Sequence, residues 1–545
     1  MTRTNRRQFL KNTATGLGLA LAGDSVADAT PTSPSSYEPT VDLPPGHLDA
    51  VARRRRIFVN YDALAQLFDY KPAGDQPDLD HIKDHLLGLL DVYGDNHIDT
   101  VGWCWSEGNE APYPSKVLPT LLDHPIFKHV PEEIDLVKLC CDETRKRGKE
   151  AFFSLRVNGG DHDRTYIEKR MPKLDIKFNN KEWLLNWNTD PSGPPQYLAP
   201  YHPNAFWNFA AQGTRDLKVR CLREVAENYE FDGVEVDYAR MCPVLQPGYQ
   251  WENRDALTAF MRSLRLALLD VAKKRGRPVL IGARVPETIV GCHFDGIDIE
   301  TWIRDGLVDV LTIGCRCMEA EIESFRRLTA GTPVRVYPCT DFVHPTHDYK
   351  PGEAKYWRGI YANWWHQGPD GVATFNCTYT GQDFSIYREI GDPKSMRFLD
   401  KVFAIERRGG GHPPELTPYP DDWRTPRLAY SNTNMLGQLP VTLDPVARVD
   451  NMLFLYVADD LLGAGDRLKS SKLRVKLSRP VAIEARVNAA LLPSPILKEN
   501  WAEFGLNPIL SAVGRNLVTL RYKEPLADDD KTTTVEKVEL HVEYV

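Results

Sequence analysis

The sequence predicts an α/β protein, a (β/α)8 TIM barrel followed by a C-terminal all-β sandwich. Three observations predict it. Eight short β-rich apolar runs recur along the first three quarters of the chain, most of them polar at the C-terminal end; helix-period stretches lie between them; and from about Pro413 strand-like runs follow one another without helices. The composition suits such a molecule: of 545 residues, 42% are hydrophobic and 26% charged, the balance of a globular chain with ample material for a core. Lys and Arg number 67 against 75 Asp and Glu, a formal charge of −8, which speaks against the broad basic face that a nucleic-acid partner needs.

Residues 1–29 read as an export signal outside the fold. Asn5-Arg6-Arg7-Gln8-Phe9-Leu10-Lys11 precedes a mildly apolar run from Ala14 to Ala22 and a small-x-small site, Ala27-Asp28-Ala29. Two adjacent arginines followed by Phe-Leu-Lys resemble the bacterial twin-arginine signal, which implies a protein exported already folded, to the periplasm or beyond. The apolar run is far shorter than the ~20 residues that span a bilayer, and no later segment reaches that length, so no membrane insertion is expected. Residues 30–50, rich in Pro, Ser and Thr, read as a linker.

The barrel is expected over residues 51–410. Its strand runs are Arg56–Asp62, Thr100–Glu107, Glu150–Asn158, Gly233–Arg240, Val279–Glu287, Val308–Cys315, Val334–Asp341 and Gly371–Tyr379. The clearest helices are 214–229, where Leu217, Cys221, Val225 and Tyr229 recur every four residues, and 255–274, with Leu257, Phe260, Leu264, Leu268 and Val271 on one face. An open doubly wound sheet would want a Gly-rich turn after its first strand, and Asn60-Tyr61-Asp62 offers none. Residues 411–545 read as the sandwich, with runs at 452–458, 472–477, 481–487, 517–522 and 536–545. Only Trp423 and Trp501 of the 12 tryptophans lie there, which favours a structural role over sugar binding. All ten cysteines fall between Cys104 and Cys377, with no CxxC pair and no metal-type spacing, so buried free thiols are expected.

Barrel enzymes carry their chemistry at the C-terminal strand ends, so the acids there come first. Glu235 and Asp237 are two apart on the fourth run and therefore share a face, inward if Val234 and Val236 face the helices. A buried carboxylate is costly unless paired or used. For the deeper Glu235, a hydrogen-bonding network with Arg156, Arg284 or Arg316 is the leading reading; for Asp237 it is catalysis. Glu287 ends the fifth run and Asp341 the seventh, so Asp237, Glu287 and Asp341 would ring one pocket. Glycoside hydrolysis needs such a set: one carboxylate as nucleophile or base, and one carboxylic acid to protonate the leaving oxygen.

Candidate sugar-binding residues accompany them. Trp103, Trp105 and the Trp364-Trp365 pair would offer flat faces to pyranose rings, and Asn60, Asp62, Arg156, Asn158, Glu235, Arg240, Asn376 and Tyr379 would bond hydroxyls. The long stretch 161–200, with Trp183, Trp187 and Tyr197, would shape a cleft. His162 and His202, and His344 with His347, fall in loops of the same face, and a metal-dependent hydrolase or deacetylase is one alternative; neither Asp161-His162-Asp163 nor His344-x-x-His347 forms a helical HExxH pair, and no metal or cofactor is expected. A non-catalytic carbohydrate-binding barrel is the other alternative. In either case the expected partner is a carbohydrate.

The run 204–240 resembles the glycosyl-hydrolase-like family 10 barrels: an amphipathic helix, then Phe231-Asp232-Gly233, then a strand ending in Asp237-Tyr238-Ala239-Arg240. Ala362-Asn363-Trp364-Trp365-His366-Gln367-Gly368, leading into Asp370-Gly371 and Phe375-Asn376, is similar to the final helix and strand of related exported bacterial barrels. The resemblance spans about residues 50–405 and implies a (β/α)8 hydrolase fold. Acids on strands four, five and seven also look like the alpha-amylase clan, which implies Asp237 as nucleophile, Glu287 as acid/base and Asp341 as a stabiliser of the transition state. The chain lacks that clan's Arg-x-Asp and Asn-His-Asp. It also approaches the chitinase pattern Asp-Gly-x-Asp-x-Asp-x-Glu, but Ala239 stands where the catalytic Glu would be, which disfavours that mechanism.

Overall fold

The computed structural model describes residue 37 and residues 39–545 apart from 72–73, 75–77, 92–94, 107–108, 158–174, 186–205, 240–242, 247, 342–352, 376–383, 409–434, 447–448 and 528–530. The expected export signal lies outside the described residues.

All eight expected strands form. β1 (Ile57–Tyr61), β2 (Ile98–Ser106), β3 (Glu150–Arg156), β4 (Gly233–Asp237), β5 (Leu280–Val285), β6 (Val310–Ile313), β7 (Arg335–Asp341) and β8 (Val372–Phe375) pair in chain order and close into a barrel through β8 and β1. Every pairing is parallel. Successive side chains point to opposite faces. Val59, Val101, Val234, Val236, Ile281 and Val336 pack outward in the core shared with the helices, while Phe58, Phe152, Leu280, Val310 and Tyr337 fill the lower interior.

The Phe-Asp-Gly turn is set by this packing. A Cβ on Gly233 would lie 2.4 Å from the Phe152 ring and 2.9 Å from the Leu280 carbonyl oxygen, so the position takes no side chain. Asp232 beside it accepts the Ala151 N–H at 3.0 Å and a guanidinium N–H of Arg277 at 3.0 Å. Helices Gln212–Asn228 and Arg254–Arg275 lie where periodicity puts them. The second ends on three basic residues and Gly276 at φ 69°, a left-handed cap that a residue with a Cβ adopts only at a cost.

The stretch expected as a linker is partly folded. Helix His47–Ala52 plugs the bottom of the barrel, because Val51 completes the lower apolar cluster and His47 Nε2 meets Asp309 Oδ1 at 2.8 Å. Arg55 grips Glu150 with two bonds of 2.6 and 2.7 Å, and Thr100 donates to the same carboxylate at 2.8 Å. A buried bidentate pair of this kind is specific in geometry and expensive to break.

The C-terminal module is a sandwich of two antiparallel sheets. One runs β10 (Val441–Thr442), β18 (Thr534–Tyr544), β12 (Leu468–Leu477), β16 (Trp501–Gly505), β15 (Ile496–Lys498); the other runs β11 (Asn451–Val457), β17 (Gly514–Tyr522), β13 (Ile483–Val487), β14 (Ala490–Leu491). Leu455, Val457, Ala485 and Val518 of one face Val475, Phe504, Val538 and Leu540 of the other across a common core. The module begins earlier than residue 411, since β9 (Lys401–Ala404), within the range expected of the barrel, pairs with β18. The last barrel helix, Ala354–His366, is the seam: Asn363 donates to the Tyr456 carbonyl and accepts from the Ala458 N–H, each at 3.0 Å.

Gly359 is the point of closest approach at that seam, where a Cβ would sit 2.0 Å from the Val402 carbonyl oxygen. Alanine gains about 1 kcal/mol of helix propensity, but the overlap is with backbone and overpacking typically costs about 1–3 kcal/mol or more. Gly359→Ala therefore lowers the urea midpoint; a midpoint at or above the wild-type value would show that β9 yields.

Candidate active site

The register of the barrel brings opposite charges abreast. Arg156 on β3 pairs with Asp237 on β4, and Asp237 with Arg284 on β5, so a plus–minus–plus row crosses the upper interior. Asp237 and Arg284 are fully buried, and Arg284 Nε stands 3.6 Å from Asp237 Oδ2. Its Nη2 lies 3.4 Å from Glu235 Oε2. Burial works against the Arg284 charge, yet Glu235 and Asp237 outweigh it and raise its affinity for the proton well above the usual guanidinium range. The Phe375 ring lies 4.3 Å below Arg284 and 5.5 Å from Arg156, a flat partner for both cations.

Two further pairs complete the rim. Arg156 Nη2 donates to Asp62 Oδ2 at 2.6 Å, and Arg316 Nε to Asp341 Oδ2 at 3.0 Å. Near Arg284 and Arg316 lies the buried Cys315 thiol. Burial pushes its proton affinity up, Arg284 and Arg316 pull it down, and Asp237 and Asp341 push it up again. Asp237 and Asp341 both act on this buried sulfur.

Glu287 follows β5 and is also fully buried. Its Oε1 accepts the Met435 N–H at 3.1 Å, a contact that reaches it from the far side of the 409–434 stretch. Its neighbour is Cys317, whose thiol is held well above its ordinary value by burial first and then by Glu287 and Glu406. Glu406 and Glu319 lie next to this group. Burial and Glu319 push Glu406 well up; burial pushes Glu319 up to about 7. Glu319 lines a groove of about 680 Å³ between barrel and sandwich, with Trp364, Phe454, Tyr456 and Arg515.

Several expected ligands belong to the core instead. Glu235 is saturated from within the barrel: Asn60 donates at 2.6 Å, Ser154 at 2.7 Å and Thr312 at 3.3 Å, besides Arg284. The network reading of Glu235 is the structural one, and Asn60, 1% exposed, spends its amide N–H groups on Ser154 and Glu235 instead of a sugar. Trp103 and Trp105 are wholly buried on the outward face of β2, where Trp103 Nε1 donates to Thr144 of helix Leu136–Lys146 at 3.0 Å; they are no platform for a pyranose. Trp364 donates to the Met318 carbonyl and Trp365 to that of Ile390, so this pair is also structural. Trp183 packs on Gly213, at the start of helix Gln212–Asn228, where a Cβ would meet its ring at 2.0 Å.

Asn158, Arg240, Asn376 and Tyr379 lie outside the described residues, as do Trp187, Tyr197, His162, His202, His344 and His347. Among the described residues no group of three His, Cys, Asp or Glu side chains is arranged to hold a metal, and no helix is long and apolar enough to cross a membrane. Sequence reasoning missed Glu406 and Glu319. Neither lies at a barrel strand end in the expected pattern, and only the pairing of β9 with the distant β18 carries Glu406 to the rim.

No protein-family model matches the chain, and no curated protein matches it. Among solved structures it is similar to the PgaB (BpsB) glycoside hydrolase domain from Bordetella bronchiseptica, at 12% identity and a TM-score of 0.39 over 62% of this chain and 99% of that one. It is similar to the alpha-L-fucosidase isoenzyme 2 from Paenibacillus thiaminolyticus, at 13% and 0.34 over 62% and 48%. It is similar to the GH36 alpha-galactosidase AgaA from Geobacillus stearothermophilus, at 10% and 0.35 over 90% and 56%. The chain spans about half the length of the last two.

The acid pair at the joint makes stability depend on pH. A carboxyl whose proton is held more tightly in the folded state than in the unfolded one stabilises fully below its unfolded value of 4.5 and loses that contribution as pH rises through its folded value, for Glu319 about 7. Wild-type protein therefore loses stability between about pH 5 and 7 relative to Glu319→Gln, by at least about 1 kcal/mol, roughly one unit's worth. Urea titrations at pH 5, 6 and 7 check this; parallel curves for the two proteins would refute it.

Proposed function

We propose that the chain is a glycoside hydrolase that cleaves O-glycosidic bonds of a poly- or oligosaccharide with two carboxylates. We also infer an exported protein of the glycosyl-hydrolase-like family 10 kind, carried to the periplasm or beyond by its twin-arginine segment. One observation carries the enzymatic reading. Two buried carboxylates, Asp237 at the end of β4 and Glu287 just beyond β5, stand in opposite surroundings: Asp237 faces the Arg284 guanidinium, Glu287 a thiol and a second carboxylate, Glu406. Glycoside hydrolysis needs this contrast, an anion to meet the anomeric carbon and an acid to release the leaving oxygen.

In the proposed cycle Glu287 gives its proton to the glycosidic oxygen as the bond to the anomeric carbon breaks. Asp237 meets the developing positive charge, as nucleophile or as base for a water. Arg284 holds Asp237 in place, and Asp341, tied to Arg316, supports charge or binds a hydroxyl. The rim residues Asp62 and Arg156 orient each other beside Phe375.

Product release from a panel of plant and algal polysaccharides, sulfated ones included, tests the reading. Asp237→Asn and Glu287→Gln each reduce the released sugar by at least about 100-fold, the scale of a lost acid or base, with the thermal midpoint kept. Full activity in both variants would sink it. The full burial of Asp237, Glu287 and Asp341 favours a carbohydrate-binding barrel as the second reading; saturable glycan binding without product from wild type would establish that one.

A further inference from the structure

We propose that Glu406 is a positioning residue for this reaction, and that through it the C-terminal module completes the active site. The inference rests on the reading of Glu287 as proton donor. Glu406 follows β9, the first strand of the sandwich, and its buried carboxylate reaches back to the barrel. There it accepts the N–H of Met318 at 2.6 Å and of Glu319 at 3.1 Å, both in the loop after β6. Its carbonyl oxygen accepts the N–H of Gln438 at 2.9 Å and of Leu439 at 3.2 Å. One residue thus staples the β6 loop to the returning segment 435–439.

Both stapled segments hold Glu287. From the return, Met435 gives its N–H to the Glu287 carboxylate at 3.1 Å, and its sulfur takes the Thr288 hydroxyl at 3.4 Å. From the β6 loop, Glu321 gives its N–H to the Glu287 carbonyl at 2.9 Å and accepts that of Ile289 at 3.0 Å. Glu287 is therefore fixed at side chain and main chain by two segments that meet at one residue of the other module.

The carboxylate of Glu406 does more than join them. It lies beside Glu287 and Cys317, both buried, and beside the half-buried Glu319 at the edge of the groove, with Glu321 beside Glu287 and Arg515 of β17 acting on Glu319 from the groove. Neighbouring carboxyls titrate together, and the last proton of such a set leaves at higher pH than it would alone. Met435 acts oppositely, since an N–H aimed at a carboxylate favours its ionised form.

The test uses full-length protein, the substrate identified by the polysaccharide panel, and Glu406→Gln, Met435→Pro and Glu287→Gln, each with its thermal midpoint. Glu406→Gln lowers kcat about tenfold, the scale of one hydrogen bond to a buried N–H left unmade, with KM within about twofold, and moves the alkaline limb of kcat to lower pH. Met435→Pro, which removes the N–H, moves the same limb to higher pH. Opposite displacements are not the mark of a merely structural joint. Folded variants with wild-type kcat and an unmoved limb overturn the proposal. If a variant fails to fold, infrared titration of carboxyl groups decides: a group titrating above the ordinary range in wild type and shifted in Glu287→Gln supports coupling, and its absence overturns it. Full activity in Glu287→Gln instead overturns the hydrolase reading itself.

Discussion

The upper barrel depends on one buried cation. Arg284 sits between Glu235 and Asp237 with no exposure to water, and the interior tolerates two carboxylates on one strand because this guanidinium lies against both. Removing it would leave two buried anions without their compensating charge, a loss that typically costs about 3–5 kcal/mol for a single pair. The neutral donors Asn60, Ser154 and Thr312 satisfy Glu235 from three other strands, so the same network ties β1, β3, β4, β5 and β6 together around one point. Stability and the placement of Asp237 have the same origin.

The alternation of strands and helices was legible because each barrel strand is buried on both faces and reads as an apolar run. The turn into β4 was legible for a stricter reason, since Gly233 faces Phe152 and nothing larger fits. What was not legible were elements whose role comes from distant partners. Residues 47–52 sit in a Pro- and Ser-rich stretch, and their helix is explained by Asp309 and the barrel floor, more than 250 residues on. Strands β9 and β15, with three or four residues each, carry no period of their own and form because β18 and β16 offer edges.

The site divides along the same line. Spacing by two along β4 was enough to send Glu235 and Asp237 inward, but it does not say which of two inward carboxylates is spent on the core; the three donors around Glu235 decide that. Trp103 and Trp105 show the opposite failure. Near a strand end they look like sugar platforms, yet the same spacing by two puts both on the outward face, under the helices. Glu406 could not be read at all, because a single glutamate after a short run is ordinary until β9 is known to cross between modules.

That crossing sets an order of events in synthesis. β9 leaves the ribosome with the end of the barrel, but its partner β18 is the last strand of the sandwich, about 130 residues later, and it also forms the centre of its sheet between β10 and β12. Until β18 emerges, β9 has an open edge, the sandwich has one sheet without its middle, and Glu406 has no fixed anchor beneath it. The barrel can be complete well before that moment, whereas the bracing of Glu287 from the far module arrives only with β18.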